Sequence, residues 1–453
     1  MKPLTTDTIA AIATAPGEGG VAIVRLSGPE AESILLQVFR PAGRNALPLT
    51  SHLLTYGHAV SGAESIDECM AVLMRAPRSY TREDVAEIHL HGGAYLSQRV
   101  LSLCLDKGAR LAEPGEFTRR AFLNGRIDLS QAEAVMSLIA ARGEQSRRAA
   151  MRQLQGGASA FIREAADELY ALQAGVAACI DYPEEIGEDE AAADLIPRAL
   201  RLAESLDAAC DERAGRILQS GLQVALCGQP NVGKSSLLNA LLGEERAIVT
   251  PIPGTTRDMV TGDVTLGGSV IHLTDTAGLH HTDDPVEQIG VARARQAIEA
   301  ADLVLAVLDA SHPLTDDDRE LLTSLHGRPC AVILGKADLP AVLTPADVQP
   351  LLPEAPVLKL SANTPATLAP LKTFLAEQAA VSDRLALTQP RHMAAARRAS
   401  SHLRQAAATA RALTVDMASL DLQAAQLALA EITGDEVEEH LLDRVFGMFC
   451  VGK

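Results

Sequence analysis

The sequence predicts a multidomain fold that combines α/β and helical parts: an α+β N-terminal domain, a discontinuous helical domain, and an α/β domain inserted into the helical one. Three observations predict this. Short apolar strands mix with helical stretches over about the first 120 residues, and alanine-rich amphipathic segments form two separate blocks. Between those blocks, a glycine-containing loop follows an apolar strand. At 453 residues, the chain can hold about two to four domains.

Changes in residue pattern suggest the domain boundaries. Strand-like runs such as 21–26, 68–74 and 85–90 are confined to the first part, and helical periodicity extends from Gln131 to about Gly215. We interpret the acidic break at 181–190 as a turn between helices. Helical periodicity resumes near Met393. We therefore expect an N-terminal domain at 1–120, a first helical part at 121–215, the inserted domain at 216–380 and a second helical part at 381–453.

The inserted domain begins with a phosphate-binding loop. Residues 228–235 read Gly-Gln-Pro-Asn-Val-Gly-Lys-Ser, after the apolar run 222–227 and before a helix-forming stretch. Its glycines let backbone N–H groups face a triphosphate, while Lys234 reaches the β and γ oxygens and the Ser235 hydroxyl can bind Mg²⁺. We assign Lys234 to catalysis as well as binding. The predicted nucleotide contacts of this loop are Asn231, Val232, Gly233, Lys234, Ser235 and Ser236.

Motifs at three further strand ends indicate that the nucleotide is GTP. After the strand 270–273, a carboxylate is available for the Mg²⁺ shell and a glycine N–H for the γ-phosphate. After the strand 331–334, Asp338 can accept hydrogen bonds from guanine N1 and N2, and the Lys336 stem can lie on the base. An ATPase would not need Asp338. The predicted contacts at these strand ends are Asp275, Thr276, Ala277, Gly278, Lys336, Asp338, Ser361 and Ala362.

Two positions depart from the usual GTPase pattern. Gly335 stands where these enzymes usually have an asparagine that contacts the base and ties its loop to the phosphate loop, and glycine can do neither. Leu279 stands where small GTPases place a glutamine that orients the attacking water. Hydrolysis is therefore slow, or another group activates the water.

A monovalent cation is one candidate for that group. The Asn231 side chain and the backbone carbonyls of Thr250 and Ile252 could form an oxygen cage for K⁺, while Thr256 could close over Mg²⁺. The alternative is that Asn231 only caps the loop. The predicted contacts of this second loop are Thr250, Pro251, Ile252, Pro253, Gly254, Thr255 and Thr256. The predicted metal ligands are Ser235, Thr256, Asn231, Thr250, Ile252 and Thr255.

The chain resembles a known family along essentially its full length. The resemblance rests on the guanine motifs, the Gly-Thr-Thr-Arg-Asp loop at 254–258, the segments 8–28 and 114–124, and the ending Phe-Cys-Val-Gly-Lys at 449–453. Together they look like the tRNA modification GTPases called MnmE or TrmE. The resemblance implies an N-terminal domain that binds a tetrahydrofolate such as 5-formyltetrahydrofolate. It also implies a homodimer that joins an FAD-dependent partner in a heterotetramer and modifies the wobble uridine of certain tRNAs.

The resemblance also implies roles for particular residues. Glu287 would help position the water or relay a proton, although it could be an exposed glutamate at a helix start. Cys450 would act in the modification chemistry, although the ending could merely pack and order the folate pocket. The residues implied for folate are Arg25, Glu87, Arg126 and Lys453. Glutamate can hold pteridine donors and arginines can hold glutamyl carboxylates.

Composition limits the partners. The formal net charge of −18 argues against a protein that grips RNA alone, unless a partner or a local basic patch compensates. Such a patch could come from Arg119, Arg120 and Arg126, or from Arg147, Arg148 and Arg152, although solvated helix surface is the simpler interpretation. Seven cysteines without metal spacing and no visible secretory or transmembrane segment predict a cytoplasmic protein without a membrane partner.

Two other functions compete with the modification GTPase. An RNA-binding assembly GTPase of the ribosome-maturation kind would act as a switch without group-transfer chemistry, and it would not need the ending at 449–453 or the glycine-rich N-terminal domain. A generic P-loop ATPase is disfavoured by Asp338. A metal site at His89 and His91, which share one face of a strand, lacks a third ligand.

Overall fold

The computed structural model describes residues 7–43, 47–244, 261–276, 295–382, 387–436 and 439–453. They fall into two units. Unit 1 comprises Met1–Met136, Gln153–Ala203 and Arg398–Lys453, and unit 2 comprises Ser137–Arg152 and Glu204–Arg397. The predicted multidomain class, with α+β, helical and P-loop α/β parts, is confirmed. The domain boundaries at 120, 215 and 380 stay predictions.

Unit 1 contains a seven-stranded sheet in the order β3-β4-β5-β6-β2-β1-β7. Its neighbouring strands are antiparallel except for β1 and β7. Inward residues of β2, such as Val24 and Leu26, are fully buried and alternate with less buried ones, as expected for a sheet with one covered face. The strands are Ile9–Ile12 (β1), Val21–Ser27 (β2), Phe39–Pro41 (β3), Thr55–Ser61 (β4), Glu64–Met74 (β5), Val85–His91 (β6) and Arg110–Leu111 (β7).

The first nine helices are divided between the two units. The helix Gly157–Asp181 ends at the acidic break, and the next begins at Glu188, so the predicted turn is present. The first nine helices in chain order are Ala31–Val38 (α1), Ala94–Asp106 (α2), Glu116–Leu123 (α3), Leu129–Ala140 (α4), Glu144–Leu154 (α5), Gly157–Asp181 (α6), Glu188–Ala208 (α7), Glu212–Ser220 (α8) and Lys234–Glu244 (α9).

Unit 2 contains a six-stranded sheet in the order β13-β12-β11-β8-β10-β9, parallel except for the edge strand β9. Near-continuous apolar runs form its central strands because separate hydrophobic clusters cover both faces. The strands are Leu222–Cys227 (β8), Thr261–Leu266 (β9), Ser269–Asp275 (β10), Leu303–Asp309 (β11), Cys330–Gly335 (β12) and Val357–Lys359 (β13).

The parallel arrangement sets the position of the motifs. The carboxyl ends of β8, β10, β11, β12 and β13 lie along one edge of the sheet, where ligands bind in open α/β folds. The remaining helices are Asp316–Ser324 (α10), Pro345–Val348 (α11), Ala369–Gln378 (α12), Pro390–Ala412 (α13), Ala418–Thr433 (α14) and Glu439–Gly447 (α15), with a 3₁₀ turn at Pro365–Leu368. None of the helices in the described ranges is long and apolar enough to cross a membrane.

Candidate functional sites

The phosphate loop connects β8 to α9 in a conformation that depends on glycine. Gly228 has φ 145°, and a Cβ there would lie 2.2 Å from the Val307 carbonyl oxygen, so no other residue fits. Asn231 and Gly233 also have positive φ, at 64° and 106°. These turns bring the loop back to the amino end of α9, where free backbone N–H groups favour a phosphate.

Lys234 lies inside this loop. Its Nζ donates hydrogen bonds to the carbonyl oxygens of Gly228 at 3.0 Å and Gln229 at 2.9 Å. Burial lowers the pKa of this amine, although the charge of Asp275 acts in the opposite direction. A buried ammonium whose hydrogen bonds to described residues go to neutral carbonyls is well placed to attract phosphate oxygens.

Asp275 provides the acceptor that a divalent cation requires. The Ser235 hydroxyl donates a 2.5 Å hydrogen bond to Asp275 Oδ2. Asp275 Oδ1 is buried and has no hydrogen-bond partner within the described ranges. An unpaired buried carboxylate oxygen beside a serine hydroxyl fits Mg²⁺, which prefers hard oxygen ligands. Thr276 supports this arrangement, because its N–H and hydroxyl both bond to the Leu226 carbonyl.

Several predicted residues lie outside the described residues. They belong to the second nucleotide loop, to the end of the motif that starts at Asp275, and to the proposed catalytic glutamate. They are Thr250, Pro251, Ile252, Pro253, Gly254, Thr255, Thr256, Ala277, Gly278 and Glu287.

The predicted guanine contacts come together at the ends of β12 and β13. Asp338 is exposed, and a hydrogen bond from Ser361 lowers the pKa of its carboxyl, with a further contribution from Asn363. The Ala337 N–H bonds to the Leu360 carbonyl at 3.1 Å, which joins the two loops. An ionised, accessible carboxylate in this position can accept the two donors of a guanine edge. Ala362 follows Ser361 directly in the same loop.

An aspartate that the sequence did not single out holds Lys336. Asp309 ends β11, and its Oδ2 lies 2.7 Å from Lys336 Nζ. Burial would raise the pKa of the Asp309 carboxyl, but hydrogen bonds from Lys336 and Ser311 lower it to about 2. The sequence signal for Asp309 is a carboxylate that ends a buried apolar strand at the edge of the sheet where ligands bind.

In unit 1, the last four residues pack against the N-terminal sheet. Gly452 has φ 94°, and a Cβ there would meet the Ile12 carbonyl oxygen at 2.3 Å. The Phe117 N–H donates to the Lys453 carbonyl at 3.1 Å, and the Gly115 N–H donates to the Cys450 carbonyl at 3.4 Å. We call residues 450–453 the tail. Its backbone is fixed by these contacts, while the Cys450 side chain is exposed.

The tail lies beside two of the predicted folate residues. Arg25 donates to Glu87 Oε1 at 2.7 Å and to the Gly452 carbonyl at 3.2 Å. Burial would raise the pKa of the Glu87 carboxyl, but the charge of Arg25 and hydrogen bonds from Arg25 and His89 hold it below its ordinary value. Glu87 therefore stays ionised and can accept donors from a ligand.

Arg126, the fourth predicted folate residue, lies apart from that pair. It stacks 4.6 Å from the Tyr80 ring and donates to the Tyr80 carbonyl at 3.1 Å. Among the described residues, no hydrogen bond joins it to Arg25 or Glu87. It lines an open cavity of about 480 Å³ with Arg78 and Arg82.

In the candidate patch of Arg119, Arg120 and Arg126, Arg120 does not contribute to a basic surface. Arg120 is buried and pairs with Asp7, Glu83 and Glu116, because α3 packs its polar edge against neighbouring acidic residues. Arg119 pairs with Asp443 at 3.2 Å. The patch hypothesis is therefore wrong for Arg120, and so is the solvated-surface interpretation.

The two strand histidines likewise bond to carboxylates. His89 bonds to Glu87 at 3.1 Å and His91 to Asp67 at 2.8 Å. No cluster of three or more metal-binding side chains occurs in the parts of the chain that are described. His89 thereby becomes a support for the Glu87 carboxylate.

Comparisons with known proteins cover the whole chain. The family described as "GTP-binding protein TrmE N-terminus" matches residues 8–126, and the "MnmE helical domain" matches residues 129–450. The chain is 46% identical over 466 residues to the tRNA modification GTPase MnmE of Heliobacterium modesticaldum, covering 99% of both chains. It is 48% identical over 457 residues to that of Chloroflexus aurantiacus, covering 99% of this chain and 100% of the relative.

Solved structures are similar to a smaller part. Aquifex aeolicus Era Y63A bound to GDP·AlF4⁻ is 29% identical, with 40% of this chain and 65% of that chain covered and a TM-score of 0.30. The G domain of the T. maritima FeoB iron transporter is 31% identical, with 35% and 99% covered and a TM-score of 0.29.

The parallel sheet, the phosphate loop with Lys234 and Ser235, and Asp275 and Asp338 after two strands of that sheet define a P-loop GTPase, an enzyme that hydrolyses GTP to GDP and phosphate. The similarity to the MnmE relatives covers 99% of this chain, so it also includes the residues on either side of the GTPase domain. The chain belongs to the tRNA modification GTPase MnmE family.

Proposed function

We propose that this GTPase couples K⁺-stimulated GTP hydrolysis to the addition of a carboxymethylaminomethyl-type group to C5 of the wobble uridine, position 34, of certain tRNAs. A tetrahydrofolate such as 5-formyltetrahydrofolate supplies the one-carbon unit. The protein acts in the cytoplasm as a homodimer that joins an FAD-dependent partner protein in a heterotetramer.

The observation that carries the proposal is the contact between the tail and Arg25. A GTPase that served only as a switch would have no use for a cysteine-bearing tail fixed against an N-terminal sheet. Here the Gly452 carbonyl accepts from Arg25, which also pairs with Glu87, and Cys450 is exposed two residues before Gly452. The chain thus has a second cluster of chemical groups besides its nucleotide site.

The Arg25 and Glu87 cluster suits folate by its chemistry. The Glu87 carboxylate can accept the donors of a pteridine ring, while Arg25 and Lys453 can pair with glutamyl carboxylates. Arg126 lies over the ring of Tyr80, whose hydroxyl hydrogen-bonds with Thr118 at 2.9 Å. In this proposal, Arg126 holds a part of the ligand distant from the pteridine.

The nucleotide site would hold two metal ions. When bound, Mg²⁺ would neutralise phosphate charge, with Ser235 and Asp275 in its shell and Thr256 as a further ligand. K⁺ would bind Asn231 together with the loop from Thr250 to Thr256, and Glu287 would position the water. The Asn231 amide makes no hydrogen bond to other described residues, which favours a ligand role over the capping alternative.

Net charge favours a partner for RNA binding. The chain carries a formal charge of −18, and Arg120, in the candidate basic patch, is buried among acids. Because RNA affinity depends on phosphate contacts, we expect tRNA to bind tightly only when a more basic partner is present.

Mass spectrometry of tRNA nucleosides tests the proposal. Cells that lack the protein should lose the modified wobble uridine, and wild-type protein should restore it. Lys234→Ala, which removes the ammonium from the phosphate loop, should not restore the modified wobble uridine. If the deletion leaves the wobble nucleoside unchanged and instead causes ribosome precursors to accumulate, the switch-type assembly GTPase is the better assignment.

A further inference from the structure

Gly335 leaves the guanine loop without the side chain that usually ties it to the phosphate loop. The two loops nevertheless lie close together, because a Cβ at Gly335 would lie 3.4 Å from the Val232 carbonyl oxygen and 3.4 Å from the Leu308 carbonyl oxygen. Gly335 therefore lies close enough to the phosphate loop, but it has no side chain that could form the hydrogen bond. A GTPase with this gap needs another way to hold the two loops in register.

The segment after β11 contacts both loops. At its start, Asp309 Oδ2 pairs with Lys336 Nζ at 2.7 Å, while Oδ1 accepts from the Ser311 N–H at 2.9 Å and hydroxyl at 2.6 Å. Asp309 is only 14% exposed. The carboxylate thus fixes the lysine whose stem is predicted to lie on the guanine base.

The other end of the same segment contacts the phosphate loop. The Gln229 side-chain amide, between Gly228 and Pro230, donates a hydrogen bond to the Thr315 hydroxyl. Thr315 is the N-cap of α10, and it forms a capping box with Asp318, whose N–H donates to the threonine hydroxyl at 3.1 Å. The capping box holds the hydroxyl in place, so Gln229 bonds to a fixed partner.

We propose that residues 309–318 form a brace that joins the guanine loop to the phosphate loop and replaces the asparagine missing at position 335. Asp309 is the positioning residue at the base end, through Lys336, and Gln229 with Thr315 is the contact at the phosphate end. Neither Asp309 nor Thr315 touches the nucleotide in this arrangement. The brace acts by keeping Lys336 and the phosphate loop at a fixed separation.

Charge supports this arrangement. The pKa of the Asp309 carboxyl is about 2, so the carboxylate remains ionised at neutral pH. A partly buried ion pair with hydrogen bonds at both oxygens is strong enough to fix a lysine that would otherwise be mobile.

Calorimetric GDP affinities of single and double variants test the brace. Asp309→Asn and Gln229→Ala should each weaken GDP binding by about tenfold, which is the size expected when a coupled pair is broken. Because a brace broken at one end contributes nothing at the other, the double variant should bind GDP about as weakly as either single variant. Independent contacts would instead give about a hundredfold loss, and that result would overturn the proposal.

Gly335→Asn distinguishes positioning from general damage. The added amide should restore the GDP affinity of Asp309→Asn to within about threefold of the wild-type value. In the wild-type background, Gly335→Asn should change GDP affinity by a smaller factor than it does in Asp309→Asn. If Gly335→Asn tightens wild-type binding by as much as it rescues Asp309→Asn, the brace is not the missing tether. Asp316→Asn, the same change at an exposed acid in the same segment, should bind GDP normally. If Asp309→Asn does not fold, Gln229→Ala with and without Gly335→Asn gives the same decision.

Discussion

The Ser235 hydroxyl lies 2.5 Å from Asp275 Oδ2, while Asp275 Oδ1 is buried without a partner in the described ranges. The two side chains that are predicted to share a Mg²⁺ ion are therefore in direct contact. Asp275→Asn should therefore remove most of the Mg²⁺ dependence of GTP binding, with a loss of about tenfold or more at millimolar Mg²⁺. Titration with a fluorescent nucleotide, with and without EDTA, measures this Mg²⁺ dependence.

Asp263→Asn is the matched control for that experiment. Asp263 lies on the neighbouring strand and bonds to His272. The Mg²⁺ dependence of GTP binding by Asp263→Asn should equal that of the wild type. If Asp275→Asn retains a normal Mg²⁺ response, another carboxylate holds the ion.

Asn231 should make hydrolysis depend on K⁺. Leucine at 279 cannot orient water, and Asn231 presents its amide from a backbone with φ 64° beside the phosphate site. We expect GTP turnover to be at least about tenfold faster in K⁺ than in Na⁺ at equal ionic strength, since one catalytic electrostatic contact contributes about 100-fold or more. Asn231→Ala should lose this difference. A variant that still responds to K⁺ would exclude the cage.

Asp338 should determine the choice of base. Its carboxylate is exposed and ionised beside Ser361, as an acceptor for guanine N1 and N2 donors requires. Asp338→Asn replaces one acceptor with a donor, so GTP should bind about 10- to 100-fold more weakly while xanthosine triphosphate, with an oxygen at C2, should bind more tightly. Competition assays measure both. Equal losses for both nucleotides would indicate a folding defect.

Glu87 should contribute to acid sensitivity. Its pKa lies below the ordinary 4.5 in the folded state, so the stability it provides is full above that value and is lost as pH falls through the lowered pKa. Glu87→Gln should lower the melting temperature by about 2–4 °C at pH 7, because it leaves Arg25 without its partner. The difference from the wild type should shrink below about pH 4. A difference that does not depend on pH would mean that Glu87 acts only by packing.

The sequence predicts the parts of the fold that depend on local pattern. The phosphate loop, its strand and helix, and the parallel strands of unit 2 follow from apolar runs and glycine spacing, and the structure has them. The acidic break after Asp181 also appears as a turn. In each of these, the residue pattern that predicts the element lies within a short stretch of the chain.

Contacts between distant residues could not be predicted in the same way. Arg120 bonds to Asp7, which is 113 positions away, so its burial is invisible to periodicity. The contact of Gly452 with Ile12 is made by backbone atoms and leaves no side-chain signal. Asp309 has a recognisable position at a strand end, but its partner Lys336 is identified only when β11 and β12 are known to be neighbours.

Removal of the tail tests the central claim, which is that the chain has a modification site separate from its GTPase site. Removing Cys450–Lys453 deletes the backbone contacts to Arg25 and Phe117, which all lie in unit 1. Cys450→Ser keeps those contacts and removes only the thiol, so it separates folate binding from chemistry.

The most direct measurement is mass spectrometry of wobble nucleosides from cells whose only copy lacks residues 450–453, together with the GTP turnover of the purified variant. We predict that the modified uridine disappears, while GTP turnover stays within about twofold of the wild type, because the hydrogen bonds of the tail among the described residues are made within unit 1. A truncated protein that restores the modification, or one that loses GTP hydrolysis in parallel, would contradict the assignment.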